Sequence, residues 1–348
     1  MKIGKFNIGI NHKPFVIAEM SGNHGGSLSK ALKIVDAVSK TGASAIKLQT
    51  YKPETMTIKS KRREFQINDK KNLWSGNSLF DLYKKAQTPW SWHKPIMQRA
   101  KERGLVCFSS PFDDTAVDFL ESLKVPAYKI ASFENNHFPL IKKVAKTGKP
   151  IIISTGMASK KEIKEAINVA KSSGCKNIIL LKCTSSYPAD PRESNILSIK
   201  QLRKEFNCEV GLSDHTLGIG VSISAVANGA SVIEKHVTLN RKSNDIDSAF
   251  SLEPNELSSL IIESENAWKS LGNKSIGPSK SEIKSIKYRR SIYIVKNIKK
   301  NDLFNQSNIS VIRPSNGIHP KYFEKIIGKK SARNLKSGTP LKLSDVKK

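Results

Sequence analysis

Two histidines, His215 and His236, follow two apolar runs at residues 208–212 and 230–233. An imidazole at the tip of a strand is a good ligand for a divalent metal. Each has neighbours suited to catalysis: Ser213 and Asp214 before His215, Glu234 and Lys235 before His236. A lone histidine is more often structural than a ligand, but two on adjacent strand tips reverse that expectation. Two protein ligands leave most of the ion's positions open for substrate and water, unlike a closed structural zinc site.

Six earlier apolar runs end in the same manner, at Glu19, Lys47, Ser110, Lys129 with Ser132, Ser154, and Thr184 with Ser185. Eight strands with polar tips describe the active-site face of a (β/α)8 TIM barrel, an α/β fold. The expected strands are residues 15–19, 45–50, 105–110, 127–132, 150–154 and 177–183, then the two runs before the histidines. Helical patterns separate them, among them residues 29–40, 92–103 with Pro95 in the first turn, 160–172 and 218–228. Continuous apolar strands alternating with helices imply a parallel sheet covered on both faces.

An insert at residues 51–89 is too long for an ordinary strand-to-helix loop and reads as a lid or substrate-binding element. Its Trp74 and Tyr83 would line a pocket or pack the lid. The barrel domain is expected to span residues 1–271. Residues 272–290 are polar and read as a linker. Residues 291–348, with short strands at 291–295 and 311–313 and turns at Gly317, Gly328 and Gly338, read as a small β-rich domain.

Lysines inside apolar strands, Lys47, Lys129 and Lys182, must either meet an anionic partner or snorkel out from a strand end. With the hydroxyls of Ser132, Ser154 and Ser213 they would form a cradle for phosphate and carboxylate groups. Glu19 and Glu134, just past strand tips, are acid/base candidates, with salt bridges to Lys47 or Lys129 as the plainer alternative. Asn23 and His24 precede the tight Gly25-Gly26 loop, where His24 would touch substrate or cap the following helix. Asp247 lies in a loop after the last strand.

The 348 residues carry 59 lysines and arginines against 30 acidic residues, a formal net charge of +29. The positive charge is spread over the whole chain, with no zinc finger, RNA-binding aromatic signature or basic arm, so nucleic acid is not expected as a partner. The field would still steer anionic substrates. No run reaches the roughly 18 apolar residues of a membrane span, and the start of the chain shows no signal-peptide pattern, so a cytoplasmic protein is expected. Cys107, Cys175, Cys183 and Cys208 form no close pair and are expected to be free thiols.

Several strings together resemble the sialic acid synthase family: Ala18-Glu19-Met20-Ser21-Gly22-Asn23-His24, Lys47-Leu48-Gln49-Thr50, Lys129-Ile130-Ala131-Ser132-Phe133-Glu134, Ser154-Thr155-Gly156-Met157, Gly211-Leu212-Ser213-Asp214-His215-Thr216 and Glu234-Lys235-His236. Arg313-Pro314-Ser315-Asn316-Gly317-Ile318-His319-Pro320 resembles that family's C-terminal antifreeze-protein-like (SAF) domain. Within the family, the stretch 86–93, the string Glu19-Met20-Ser21-Gly22 and Ser185 in Thr184-Ser185-Ser186-Tyr187-Pro188 look most similar to the branch that makes pseudaminic acid.

The resemblance implies condensation of phosphoenolpyruvate with an open-chain amino sugar, here 2,4-diacetamido-2,4,6-trideoxy-β-L-altropyranose. The alternative is a manno-configured sugar giving N-acetylneuraminate or legionaminate. It implies a divalent metal ion (manganese, magnesium or cobalt) on His215 and His236 that polarises the sugar aldehyde. Lys47, Ser110, Lys129, Ser132, Ser154, Ser185 and Ser213 would hold phosphate and carboxylate. Glu134 would transfer a proton and Glu19 align the sugar, with Asn23, Tyr187 and Asp247 as further substrate contacts. It also implies a homodimer whose C-terminal domain covers the partner barrel, bringing Arg313 to the sugar. Two readings of other classes compete: a metal-dependent aldolase using pyruvate, which needs no phosphate cradle, and a basic nucleic-acid-binding protein, which would bind with steep salt dependence.

Overall fold

Short runs of consecutive apolar residues can be buried on both faces only in a parallel sheet wrapped by helices, and that is where the eight runs lie. The computed structural model describes residues 1–70, 72–272 and 276–347. The chain divides into two compact units, Met1–Gly272 and Asn273–Lys348.

In the first unit a small antiparallel ribbon, β1 (Lys2–Ile3) and β2 (Phe6–Asn7), precedes the barrel. The barrel strands are β3 (Phe15–Glu19), β4 (Ala45–Thr50), β5 (Val106–Pro111), β6 (Tyr128–Ile130), β7 (Ile151–Ser154), β8 (Ile178–Cys183), β9 (Glu209–Asp214) and β10 (Val232–His236). All pair in parallel in chain order, and β10 closes the ring on β3 with Val232 opposite Phe15 and His236 opposite Glu19. Helices cover the outside, several of them started by side-chain caps. Ser27 caps Leu28–Ser39 by accepting from the Lys30 amide, and Ser159 with Glu162 forms a capping box at Lys160–Ser172. The core between strands and helices is built largely of Ile, Leu, Val and Ala.

Several boundaries differ from the sequence reading, most by one or two residues, and four of them matter here. The helix expected at 92–103 runs Trp90–Glu102, because Pro89 already supplies its N-cap, and Pro95 therefore lies inside the helix. β6 is only three residues long, and Ser132 belongs to a 3-10 turn, Ser132–Glu134, that follows it. β10 extends through Glu234 and Lys235 to His236, since polar residues here continue a fully buried strand. In the second unit the strands are β11 (Ser291–Ile294) and β12 (Ile309–Ile312), an antiparallel pair, so Arg313 follows a strand rather than ending one. This unit has its own core around Ile292, Ile294, Phe304, Ile309 and Leu341. Of the stretch read as a linker, residues 273–275 lie outside the described residues, while Lys280–Ile283 forms a helical turn.

Candidate active site

Alternation along each strand decides which tip residues meet. On β10, Glu234 and His236 share the inner face. Glu234 Oε1 lies 3.8 Å from Lys47 Nζ and 3.9 Å from Lys129 Nζ, and accepts from Ser213 Oγ at 3.3 Å. Lys47 Nζ stands 2.7 Å from Glu19 Oε2 and donates to Ser110 Oγ at 3.1 Å. Lys129 Nζ donates to the Ile130 carbonyl at 3.0 Å. All four charged side chains are buried.

Burial opposes charge on every one of them, and the neighbours decide the outcome. For Lys47 the Glu19 and Glu234 carboxylates outweigh burial and lift the pKa above the ordinary lysine value. For Lys129 burial wins, with Glu234 only partly compensating, and the pKa falls. Burial raises Glu19 despite Lys47, whereas Lys129 and Lys47 hold Glu234 low against its burial. With all four groups ionised, the two lysines and two glutamates balance in charge.

The other face of the same strands carries a different device. Lys235 Nζ lies 2.9 Å from Asp214 Oδ2 and also donates to the Thr216 carbonyl. Asp214 accepts from the Thr216 amide at 2.9 Å, from Thr216 Oγ1 at 2.8 Å and from Ser222 Oγ at 2.6 Å. Asp214 and Lys235 thus tie the ends of β9 and β10 to the helix Gly220–Ala227. They are not catalytic partners of the histidines, as their adjacency in sequence suggested. The two-residue period of a strand sends them outward.

His215 sits one residue beyond β9, with Nδ1 2.9 Å from the Thr184 carbonyl. That bond places a hydrogen on Nδ1, so in the neutral ring the lone pair lies on Nε2, while the neighbouring Cys183, Thr184 carbonyl and Glu234 lift the pKa above the ordinary histidine value against burial. His236 lies at the end of β10 with its ring centroid 5.4 Å from that of His215. Its Nδ1 is buried without a hydrogen-bond partner among the described residues, 3.8 Å from Asp247 Oδ2. Burial, with His215 beside it, pushes His236 well below the ordinary histidine pKa, so its lone pair stays available. Among the described residues no third His, Cys, Asp or Glu completes a larger ligand group. The donor set fits an ion held by two imidazoles and completed by oxygen ligands from outside the protein.

Beside these residues opens a cavity of about 400 Å3, walled on the barrel side by Ser21, Gln49, Glu134, Ser185, Tyr187, His236 and Asp247. The insert supplies the opposite wall, with Tyr51, Met56, Ile67, Trp74, Leu82 and Tyr83 among its residues. Trp74 both lines the cavity and packs the insert down: its Nε1 donates to the Ile246 carbonyl at 2.9 Å, and its ring lies 5.5 Å from that of Tyr187. Tyr187 in turn stands 4.5 Å from the His215 ring.

Glu134 has a buried Oε2 with no hydrogen-bond partner among the described residues. Burial pushes its pKa up to about 7, against the pull of Lys129. Ser132 and Ser185 share a hydrogen bond of 2.7 Å, and Gly156 packs against both. With φ at +43°, a Cβ there would stand 2.3 Å from Ser132 Cβ and 2.7 Å from Ser185 Oγ. Ser154 Oγ is buried with no hydrogen-bond partner among the described residues.

Other expected residues are placed differently. Glu19 is not part of the cavity wall; its oxygens are engaged by Lys47 and by Gln49 Nε2 at 2.9 Å. Asn23 is fully buried and does not face the cavity: it donates to the Val237 carbonyl and Ser251 Oγ, each at 2.8 Å, and accepts from the Asp247 amide at 3.2 Å. Its amide makes three bonds to the segment around β10, and that holds it away from a ligand. His24 is buried and neutral, driven down to about 4 by burial, while Ser27 caps the helix. Lys182 turns back to the Cys183 carbonyl at 2.9 Å. Arg313, in the second unit, is exposed and makes no hydrogen bond or ion pair with the described residues. The reading by tips missed Gln49 and Ser21 as cavity residues, although Gln49 lies two positions after Lys47 on the same face of β4.

The family description "NeuB family" matches residues 34–276. The chain belongs to the NeuB family. A SAF domain matches residues 289–347. The pseudaminic acid synthase of Campylobacter jejuni is 41% identical over 345 residues, covering 99% of each chain. The N,N'-diacetyllegionaminic acid synthase of the same species is 38% identical over 93% of this chain and 97% of its own. Among solved structures, the N-acetylneuraminic acid (sialic acid) synthetase of Leptospira borgpetersenii in complex with citrate superposes with a TM-score of 0.73 at 33% identity, covering 82% of this chain and 94% of that one. The family and fold expected from the strand-tip motifs stand on these matches. No helix among the described residues is long and apolar enough to cross a membrane.

Proposed function

We propose that this chain is a pseudaminic acid synthase: it condenses phosphoenolpyruvate with 2,4-diacetamido-2,4,6-trideoxy-β-L-altropyranose to give pseudaminic acid and phosphate. The observation that carries the sugar assignment is the 41% identity to a pseudaminic acid synthase across 99% of both chains. The apolar wall of the cavity favours a diacetamido-trideoxy sugar over N-acetylmannosamine, because such a sugar replaces hydroxyls with an acetamido group and a methyl group. A hydroxyl pressed against that wall would lose its hydrogen bonds.

In the reaction, C3 of phosphoenolpyruvate bonds to the aldehyde carbon of the open-chain sugar, and the aldehyde oxygen gains a proton. The cation left at C2 takes up water, which loses a proton. The C2–O bond to phosphate then breaks, so phosphate leaves with the bridging oxygen and C2 becomes the ketone of the nine-carbon acid. Lys47 and Lys129, with Ser110, Ser132, Ser154, Ser185 and Ser213, hold the phosphate and carboxylate of phosphoenolpyruvate. Their charge is matched by Glu19, 2.7 Å from Lys47, and by Glu234 within 4 Å of both, which keeps the two lysines oriented when no substrate is present. Glu134, poised near neutrality, exchanges a proton with the reacting oxygens. Tyr187 and Asp247 contact the sugar. A divalent ion, manganese, magnesium or cobalt, on His215 and His236 would polarise the aldehyde and offset the anionic charge that phosphoenolpyruvate brings to a balanced cluster. The functional unit is a cytoplasmic homodimer in which Arg313 of the partner subunit reaches the sugar.

The test is phosphate release from phosphoenolpyruvate with manganese, offering the altro-configured diacetamido sugar and N-acetylmannosamine in parallel. Release with the first alone supports the reading. Release with N-acetylmannosamine alone replaces it by sialic acid synthesis.

A further inference from the structure

Ser21 leaves β3 with φ at +46°, in the left-handed region that residues with a Cβ avoid. It is buried and lines the cavity. Strain of this kind persists only where the surroundings over-determine it, so the contacts of the side chain are informative. The turn has no room to relax: at the next position, Gly22, a Cβ would stand 3.1 Å from Ile246 Cβ and 3.3 Å from Ala86.

The Ser21 hydroxyl joins two elements of the cavity wall. It accepts from Gln49 Nε2 at 3.0 Å and donates to Asp247 Oδ2. Gln49 Nε2 gives its other hydrogen to Glu19 Oε1 at 2.9 Å. With both N–H groups committed, the amide has one orientation, and its carbonyl oxygen is left without a partner among the described residues. The Asp247 carboxylate is also met by the Gly22 amide. Its backbone is fixed separately, by Asn23 Oδ1 on the amide at 3.2 Å and Ser251 Oγ on the carbonyl at 2.6 Å. Removing the Ser21 hydroxyl therefore leaves the Gln49 amide held by Glu19 alone and the Asp247 carboxylate by the Gly22 amide alone, with the loop that carries Asp247 in place.

We propose that Ser21 is a positioning residue, held in a strained turn so that its hydroxyl locks the Gln49 amide and the Asp247 carboxylate as two oriented acceptors on the sugar wall. The proposal rests on the reading of this cavity as the sugar site. Its acceptors face the N–H and O–H donors of an amino sugar and not the anionic phosphoenolpyruvate.

The strain provides its own control. In Ser21→Gly the left-handed conformation becomes free of strain while the hydroxyl is lost; in Ser21→Ala the strain stays and the hydroxyl is lost. The full-length enzyme and both variants are compared for KM of each substrate, kcat and thermal midpoint, using whichever of the two sugars the parent turns over. The parent's own turnover reports on the functional assignment; the ratio of variant to parent reports on Ser21. The expected result is a KM for sugar raised about tenfold in both variants, the loss of an oriented hydrogen bond. KM for phosphoenolpyruvate stays within about twofold, and the midpoint falls in Ser21→Ala but not in Ser21→Gly. A Ser21→Gly enzyme with parental sugar KM would overturn the proposal and reduce Ser21 to a turn residue.

Discussion

Glu134 ties the chemistry of the site to the stability of the barrel, and substitution by glutamine isolates it. Burial lifts its pKa from the ordinary 4.5 to about 7, and its Oε2 has no hydrogen-bond partner among the described residues. A carboxyl with a raised folded-state pKa contributes stability that is fully present below the unfolded value and is lost as pH rises through the folded one. Between 4.5 and about 7 the unfolded chain releases this proton and the native barrel does not. At about 1.4 kcal/mol per pH unit the full loss is about 3.4 kcal/mol, of which about 2.5 kcal/mol develops between about pH 5 and about pH 8. Glu134→Gln keeps the shape and removes the titration. Its stability relative to the parent should therefore grow by about 2.5 kcal/mol across that interval. The assay is urea unfolding of the ligand-free protein followed by tryptophan fluorescence. All four tryptophans, Trp74, Trp90, Trp92 and Trp268, lie in the Met1–Gly272 unit, so the signal reports the barrel alone. Parallel pH profiles for parent and variant would refute the claim that Glu134 is held protonated near neutrality, and with it the proton-transfer role.

Further expectations concern residues with distinct structural jobs. Lys235→Met breaks the buried pair with Asp214 and should cost about 3–5 kcal/mol in urea unfolding, with the KM values of the folded enzyme unchanged. Gly156→Ala should lower turnover at least about a hundredfold with little change in sugar KM, because its methyl displaces Ser132 and Ser185; parental turnover would contradict the phosphate-end placement. His215→Ala and His236→Ala should each abolish turnover and weaken manganese binding measured by calorimetry, while circular dichroism stays that of the parent. Arg313→Ala should raise KM for the sugar more than KM for phosphoenolpyruvate; equal effects would argue against its reaching the sugar.

The frame of the site was legible in the sequence because the barrel strands are mostly buried apolar runs with polar residues at or just beyond their ends. Phe15–Glu19 and Ala45–Thr50 carry that signal without ambiguity, and the lysines among them demanded the anionic partners that Glu19 and Glu234 provide. What escaped was direction. Adjacent tips such as Asp214 with Ser213, or Lys235 with Glu234, look equivalent in a string, yet strand alternation sends one into the barrel and the other into the helix layer. The insert also showed its length and aromatics but not its wall, since Ile67 and Leu82 meet the barrel only through tertiary contacts. Asn23 illustrates the converse: its neighbours in the motif pointed to substrate, and only the loop at Val237–Ser251 shows that its amide is already committed. Ser21 counted only as a letter of the Glu19-Met20-Ser21-Gly22 string, because its left-handed turn is a backbone property that its residue type disguises.

The central claim is a carbon–carbon bond made to this sugar with departure of phosphate by C–O cleavage. The most direct measurement follows phosphoenolpyruvate labelled with heavy oxygen at the bridging position, with the altro-configured diacetamido sugar and manganese, by mass spectrometry of both products. The account predicts a nine-carbon 2-keto acid without the label and phosphate that carries it. Label retained in the organic product, or pyruvate formed with the sugar unchanged, would contradict it.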